Sequence, residues 1–181
     1  MSFLEVTVEP ATPSDAPAVR AIYAPIVEST AISFELEVPA VDEVAERIAT
    51  TTAAWPWLVA RSGEKVLGYA YAGAFRTRPA YRWSVETSVY VDGGARREGV
   101  GRVLYARLIE LLRGQGFVNA FAGIALPNEA SVALHERFGY RPVGVFPAAG
   151  YKLGRWHDVG WWHLALNLRV PDPPNPRNVA G

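Results

Sequence analysis

The sequence contains no cysteine, and its 18 basic side chains balance its 18 acidic ones. The first absence excludes a disulfide framework, a cysteine-ligated zinc site and a thiol nucleophile, and it is typical of proteins in a reducing cytosol. The charge balance lacks the basic excess that nucleic-acid binding usually requires. No apolar run approaches the ~20 residues of a membrane-spanning helix, and the N-terminus lacks the basic flank and apolar core of a signal peptide. These absences predict a cytoplasmic protein that binds neither nucleic acid nor membrane.

Half of the 181 residues are hydrophobic, which suits one globular domain. Their periodicity predicts the element order βααβββαβαββ, with the last two strands at Pro142–Phe146 and near Trp161–Leu168. This is a mixed α/β domain over residues 1–170, without the strict strand-helix alternation of a doubly wound nucleotide-binding fold. Residues 171–181 contain four prolines and almost no apolar side chains, which predicts a disordered tail.

Two prolines constrain the first predicted helix. Pro17 would remove an internal hydrogen bond if the helix began at Thr12, so a start at Ser14 or Asp15 is favoured. Pro25 is expected to kink or end the helix, because proline lacks the amide hydrogen of an internal helical residue.

The segment Val85–Gly101, VETSVYVDGGARREGVG, lies between a predicted strand and the clearest predicted helix. The first amides of a helix and the positive end of its dipole can bind phosphate, and glycine lets the ligand approach the backbone. Arg96, Arg97 and Arg102 add positive charge there. The segment has neither the GxxxxGK[ST] of a P-loop nor the GxGxxG of a dinucleotide site. An ordinary glycine-rich turn is the alternative for Gly99–Gly101 taken alone.

Two motifs in order resemble one enzyme family. Arg96–Gly101, RREGVG, matches the [Q/R]xxGx[G/A] signature of the GCN5-related N-acetyltransferases at the expected strand-to-helix junction, and Asn128–Tyr140 is similar to the family's second cofactor-side element. Three longer segments, WSVETSVYV, LPNEASVALHERFGY and AAGYKLGRWHDVGWW, resemble the phosphinothricin and methionine-sulfoximine N-acetyltransferase subgroup. The resemblance extends from about Val8 to Leu168.

The resemblance implies a single curved mixed sheet with helices on both faces, and acetyl-CoA in a V-shaped opening between strands that end near Val91 and Ala125. In the family pattern, the backbone of residues 89–91 bonds the pantetheine arm and polarises the thioester carbonyl. Residues 96–102 hold the pyrophosphate, and Asn128 bonds the cofactor from the neighbouring strand end. The implied acetyl-CoA residues are Val89, Tyr90, Val91, Arg96, Arg97, Glu98, Gly99, Val100, Gly101, Arg102 and Asn128.

Glu86 is the first catalytic candidate. An amine is mostly protonated at pH 7, so a base must remove a proton before the amine attacks an acetyl group. Glu86 interrupts an otherwise apolar or neutral strand and matches the family's proposed catalytic glutamate. A solvated side chain or an arginine partner is the alternative.

His135 is the second catalytic candidate, because it stands where many members of the family have a tyrosine that protonates the leaving thiolate. A histidine there could pass a proton to sulfur or take one from the amine. A structural histidine is an equal alternative on sequence alone. The other histidines are His157 and His163, and no pair has the i,i+4 spacing of a metal site with a suitable carboxylate. No metal is therefore expected.

The loop Phe75–Tyr81 is predicted to select the acceptor. Its two arginines lie beside aromatic residues and suit a compact anionic substrate, because a guanidinium grips carboxylate or phosphinate oxygens with two bonds. Solvated arginines are the alternative. The resemblance places Arg76, Arg78 and Tyr81 at the substrate mouth, with Phe34 covering it. Arg76 stands where the subgroup has lysine, so the charge is retained with a different geometry.

The resemblance, taken with these residues, implies an N-acetyltransferase that moves the acetyl group of acetyl-CoA to the α-amino group of a small anionic amino acid or analogue, such as phosphinothricin or methionine sulfoximine or sulfone. An acetyltransferase for another small amine is one alternative, and a catalytically weak acyl-CoA-binding sensor is another. The aromatic segment Tyr151–His163 is expected to pack in the core or at a subunit contact. The resemblance implies a homodimer.

Overall fold

The computed structural model describes residues 5–178. Its helices are Ala16–Ser29 (α1), Val41–Thr52 (α2), Val100–Gln115 (α3) and Glu129–Arg137 (α4). Its strands are Thr7–Pro10 (β1), Trp57–Ser62 (β2), Lys65–Ala74 (β3), Ser84–Val91 (β4), Asn119–Ala125 (β5), Arg141–Lys152 (β6) and Arg155–Ala165 (β7). The predicted order of strands and helices is confirmed.

The strands form one mixed sheet in the order β1-β2-β3-β4-β5-β7-β6. Strand β4 pairs with β5 in parallel, whereas the other neighbours pair antiparallel. Helix α3 packs on one face with a large apolar cluster, and α1 and α2 cover the other face with a second cluster. The expected fold, a mixed sheet with helices on both faces, is confirmed.

Helix α1 begins where Pro17 predicts. Asp15 is its N-cap residue, and Thr12 instead caps the short 3-10 turn that precedes the helix. Pro25 does not end the helix, which continues to Ser29. The apolar side chains before and after Pro25 are buried against the sheet, and this burial offsets the hydrogen bond that the proline cannot make.

Strands β6 and β7 form one long hairpin, so the two short strands predicted for this region had the wrong bounds. The hairpin turns at Leu153 and Gly154, which both have positive φ angles, of 51° and 76°, as a tight two-residue turn requires. Register shifts between Pro142 and Gly144, and between Phe146 and Gly150, interrupt the alternation of side chains along β6. Because these bulges break the alternation, a search for period-2 alternation does not recover the full length of β6.

The described part of the C-terminal tail, 171–178, has no helix or strand, but it bonds to the domain. The backbone amide of Arg177 donates to the Gln115 carbonyl at 2.8 Å. The Trp83 indole donates to the Pro174 carbonyl, also at 2.8 Å. The tail therefore lies beside the start of β4 and the end of α3. Disorder of residues 171–181 stays a prediction, and residues 179–181 lie outside the described part.

Candidate active site

A cleft opens where β4 and β5 diverge. The two strands pair only from Ser84 with Asn119 to Glu86 with Phe121. Beyond that point β4 continues to pair with β3, and β5 with β7, so the facing edges of β4 and β5 separate into a V-shaped opening. The cleft between them is lined by Ile32, Thr87, Ser88, Val89, Tyr90, Gly123, Ile124, Ala125, Asn128, Ser131 and His135.

The N-terminus of α3 lies at the β4 end of this cleft and has the features of an anion site. Gly99 is the N-cap residue, with φ +83°, and no side chain caps the helix. With a glycine as N-cap residue, the amides of Val100 and Gly101 can bind a ligand, whereas the Arg102 amide donates to the Gly99 carbonyl at 3.0 Å. Arg96, Arg97 and Arg102 are exposed around this point. A Cβ atom on Gly99 would meet no atom within 4 Å, so the space beside the amides is open.

The other predicted acetyl-CoA residues contribute in different ways. The Val100 side chain is buried in the core, which leaves only its backbone toward the anion site, and Glu98 is exposed. Gly101 packs close to the cleft wall, because a Cβ there would lie 3.3 Å from Leu134 and 3.5 Å from Val91. Asn128 caps α4 by accepting the Ser131 amide at 3.2 Å, and its NH₂ group stays available to a ligand in the cleft.

Glu86 projects from β4 on the sheet face covered by α1 and α2. Neighbouring Thr87 points the other way, toward Tyr105 of α3, and successive side chains of a strand alternate between faces. Burial raises the pKa of the half-buried Glu86 carboxyl, and the nearby Arg76 guanidinium lowers it in part. A carboxylate with a raised pKa is a stronger base than an ordinary one, as proton removal from an amine requires.

His135 lies at the wall of the cleft but is almost fully buried, at 3% exposure. Its Nδ1 atom is 2.7 Å from the Ser131 carbonyl, which can only accept, so Nδ1 carries a proton. Burial lowers the pKa of His135, against the opposing effect of that hydrogen bond. Burial therefore favours the neutral ring, whose Nε2 atom lies 2.7 Å from the Tyr105 hydroxyl, within hydrogen-bond distance.

The His135 ring belongs to a buried polar network on the α3 face. The Tyr105 hydroxyl is 3.1 Å from Thr87 Oγ1, which is 2.9 Å from the Tyr140 hydroxyl. The sheet thus separates His135 from Glu86, and the two catalytic candidates do not meet. The catalytic role of His135 stays a prediction. Its two internal hydrogen bonds support the alternative, a histidine that fixes the cleft wall.

Tyr105→Phe tests this network. The variant removes the hydroxyl that bonds to both His135 Nε2 and Thr87 Oγ1 and leaves a buried ring nitrogen unpaired, so we expect the free energy of unfolding to fall by about 1–3 kcal/mol. The control is Tyr81→Phe, because Tyr81 is 42% exposed; its effect should stay within about 0.5 kcal/mol. Urea unfolding measures both. A Tyr105→Phe protein as stable as the wild type would contradict the assigned hydrogen bonds.

The loop between β3 and β4 places Arg76 close to Glu86. The Arg76 guanidinium lies 4.2 Å above the Phe75 ring and 5.5 Å from the Trp161 ring, and it donates to the Phe75 carbonyl at 2.6 Å. Tyr81 packs edge-on against Phe75, with ring centroids 5.9 Å apart. Arg78 is exposed on the same loop. The loop therefore presents positive charge on an aromatic surface beside the half-buried carboxylate.

Known proteins match this chain over nearly its whole length. The family model of the acetyltransferase (GNAT) domain matches residues 8–161. The chain belongs to the GNAT acetyltransferase family. A phosphinothricin N-acetyltransferase of Streptomyces viridochromogenes is 42% identical over 94% of this chain and 92% of its own length. An L-methionine sulfoximine/L-methionine sulfone acetyltransferase of Pseudomonas paraeruginosa is 37% identical over 91% of this chain and 96% of its own.

Solved structures agree with the family assignment. The crystal structure of a GNAT superfamily phosphinothricin acetyltransferase from Sinorhizobium meliloti, in complex with AcCoA, is 34% identical, with a TM-score of 0.85 and coverage of 88% of each chain. GNAT acetyltransferases use acetyl-CoA. The V-shaped opening and the uncapped, arginine-flanked start of α3 in this GNAT chain fit a long pantetheine arm that ends in a diphosphate.

The predicted acceptor side of this acetyltransferase contains two residues that the sequence did not assign to it. Phe121 of β5 stacks on Phe75 with ring centroids 4.2 Å apart. Trp161 of β7 packs against Phe75 and Arg76, whereas Trp162 is buried in the core on the other face. Two adjacent tryptophans on one strand point to opposite faces, and this alternation was the signal available in the sequence.

Two further features of the GNAT chain concern metals and membranes. Between residues 5 and 178, no group of three histidine, aspartate or glutamate side chains could hold a metal ion. None of the helices described in that range is long and apolar enough to span a membrane.

Proposed function

We propose that this GNAT enzyme transfers the acetyl group of acetyl-CoA to the α-amino group of a small anionic amino acid or analogue, with phosphinothricin and methionine sulfoximine or sulfone as candidate acceptors. The observation that carries this proposal is the proximity of the Glu86 carboxyl and the Arg76 guanidinium. A half-buried carboxylate and a guanidinium held on aromatic rings lie together where β4 and β5 begin to separate. The carboxylate suits an amine, and the guanidinium suits the acceptor's anionic groups.

In the proposed reaction, Glu86 accepts a proton from the acceptor's ammonium group, directly or through a water molecule. The neutral amine then attacks the thioester carbonyl, forming the C–N bond. The C–S bond breaks, and the proton that the new amide nitrogen must lose passes to the departing sulfur, directly or through water, so that CoA leaves as the thiol. The edge of β4 supports this step, because residues 89–91 face the cleft without a strand partner on the β5 side. Their amides can stabilise negative charge that develops on the carbonyl oxygen. The loop Phe75–Tyr81, which we call the acceptor loop, holds the other end of the substrate.

Arg76→Met tests the acceptor site. We expect the acceptor KM to rise by about tenfold or more, since a hydrogen bond to a charged group contributes about 1.5–3 kcal/mol. Arg76→Lys keeps the charge and should have a smaller effect. Arg107→Met is the control, because Arg107 is exposed on α3 and pairs with Glu110. Initial rates at saturating acetyl-CoA measure all three, and an unchanged KM in Arg76→Met would exclude Arg76 from acceptor binding.

A thiol-release assay tests the function itself. The purified protein is given acetyl-CoA and a panel of acceptors: phosphinothricin, methionine sulfoximine, methionine sulfone and neutral amines. The proposal expects CoA release to depend on the anionic amino-acid acceptors. Release with neutral amines alone would favour an acetyltransferase of other specificity. Tight acetyl-CoA binding without acceptor-dependent release would favour the sensor.

We also propose a cytoplasmic homodimer. Strand β6 is an edge of the sheet, and several of its large apolar side chains are more than half exposed, among them Val143, Val145, Phe146 and Tyr151. An exposed apolar edge strand on a soluble enzyme needs a cover, and a second copy of the chain supplies one with matching chemistry. Light scattering in solution at twice the 19.8 kDa chain mass supports the dimer, and the monomer mass contradicts it.

A further inference from the structure

The loop after α1 reaches the cleft and is held at both sides. We call residues 30–36 the cleft loop. Its Ile32 lines the opening between β4 and β5. On the helical side, the Ser33 hydroxyl is 2.6 Å from the Tyr23 hydroxyl, and Arg47 donates to Glu35 at 2.7 Å. These bonds fix the loop to α1 and α2.

The second anchor comes from the end of the β6–β7 hairpin, 119 residues away in sequence. The Lys152 amine donates to the Ser33 carbonyl at 2.7 Å. Lys152 is 4% exposed, and no carboxylate between residues 5 and 178 lies within 4.0 Å of its Nζ atom. Burying a lysine amine without a carboxylate partner costs stability. Holding the cleft loop in place is a functional reason for such a residue.

Gly150 and His157 complete this anchor. The Phe34 ring of the cleft loop lies directly against Gly150, where an added Cβ would be 2.3 Å from Phe34 Cε2. Only glycine leaves room for the ring. His157 packs beside Phe34 with ring centroids 6.2 Å apart, and its Nε2 atom donates to the Lys152 carbonyl at 3.0 Å.

We infer that Gly150, Lys152 and His157 form a clamp that positions the cleft loop and so determines how tightly the enzyme binds its acceptor. The clamp explains why the segment AAGYKLGRWHDVGWW combines a glycine, a buried lysine and a buried histidine. Lys152 acts through Ser33 and the adjacent Phe34, the residue predicted to cover the substrate mouth, so it is a positioning residue. The inference rests on the proposed function for the identity of the acceptor, but the anchoring of the loop can be tested without any acceptor.

Lys152→Met tests the clamp, since methionine keeps an unbranched side chain and removes the donor. We expect the acceptor KM to rise by about tenfold, with kcat within about threefold and the Kd of acetyl-CoA within about twofold of wild type. Amide hydrogen exchange in residues 31–36, measured without acceptor, should become at least about fivefold faster. Lys65→Met is the matched control, because Lys65 is the other lysine of the sequence and its side chain is 68% exposed.

Gly150→Ala is the second test and keeps Lys152 intact. Its methyl group must displace Phe34, so we expect the same rise in acceptor KM and in exchange of the cleft loop. Gly144→Ala on the same strand is its control, since a Cβ there meets no atom within 4 Å. If Lys152→Met does not fold, the acceptor KM and the cleft-loop exchange of Gly150→Ala decide whether the clamp exists.

Three results would overturn the clamp. They are unchanged exchange of the cleft loop in a folded variant, faster exchange with an unchanged acceptor KM, and a loss of acetyl-CoA affinity as large as the rise in KM. In the combined variant, the effects of Lys152→Met and Gly150→Ala should be less than multiplicative, because both release the same loop. Multiplicative effects would contradict a shared clamp. If no acceptor is turned over, the proposed function fails, while the exchange measurement still decides whether the clamp exists.

Discussion

Glu86→Gln is expected to lower kcat/KM by about 10²-fold or more, the usual scale for removing a general base. Glutamine keeps the size of the side chain and its position on β4, but it cannot take a proton from the amine. Acetyl-CoA affinity should stay close to that of the wild type, because Glu86 lies near Arg76, at the proposed acceptor end of the cleft. Steady-state rates and calorimetry of acetyl-CoA binding measure the two effects separately.

The pH profile gives this test a second readout. Glu86 acts as a base only when ionised, so kcat/KM should fall as the pH drops through the pKa of Glu86. Burial raises that pKa above the ordinary value of a glutamate, which moves this acid limb to higher pH. The limb should disappear in Glu86→Gln and persist in the control Glu110→Gln, whose carboxylate is exposed on α3. A full rate in Glu86→Gln would remove Glu86 from the mechanism.

Gly99→Asp is expected to weaken acetyl-CoA binding by about 10²-fold or more while the fold persists. The substitution places a negative charge at the start of α3, where the diphosphate is proposed to bind. Two unit charges 4 Å apart interact by about 4 kcal/mol at an effective dielectric constant of 20, and 1.4 kcal/mol changes Kd tenfold. Calorimetric titration with acetyl-CoA measures the loss.

Gly99→Asn is the matched control, because Gly99 has a positive φ angle of +83°. Asparagine and aspartate are similar in size and both tolerate the left-handed conformation, so the two variants differ mainly in charge. The asparagine variant should bind acetyl-CoA within about tenfold of the wild type, and the melting temperatures of both report any strain in the fold. Equal affinities in the two variants would place the phosphates elsewhere.

Local patterns in the sequence were sufficient to predict the order of elements and the glycine-containing junction at which α3 begins. Gly99 and the arginines around it are contiguous with the helix that they precede, so the strand-to-helix junction could be predicted without tertiary information. The separation of β4 from β5 could not be derived from local pattern, because it depends on β7 pairing with β5 from a distant part of the chain. The family resemblance implied it instead.

The proposed acceptor side depends on contacts between segments that are distant in sequence, and local sequence patterns do not predict such contacts. Glu86 and His135 were both catalytic candidates, but the alternation of β4 places Glu86 on one face of the sheet, while the Thr87 network holds His135 on the other. Trp161 reaches the acceptor loop only because a bulged β6 and a long hairpin set the register of β7. The bond from Lys152 to Ser33 joins segments that no local pattern connects.

A crystal structure with acetyl-CoA and methionine sulfoximine would show donor and acceptor together in the cleft. We expect the diphosphate on the first amides of α3, beside Gly99, and the pantetheine arm between β4 and β5. We also expect the acceptor's α-amino nitrogen within about 2.6–3.2 Å of the Glu86 carboxylate, or one water molecule away, with the acceptor's anionic groups toward Arg76. Acetyl-CoA bound outside the cleft, or an acceptor amine on the His135 face of the sheet, would contradict this arrangement.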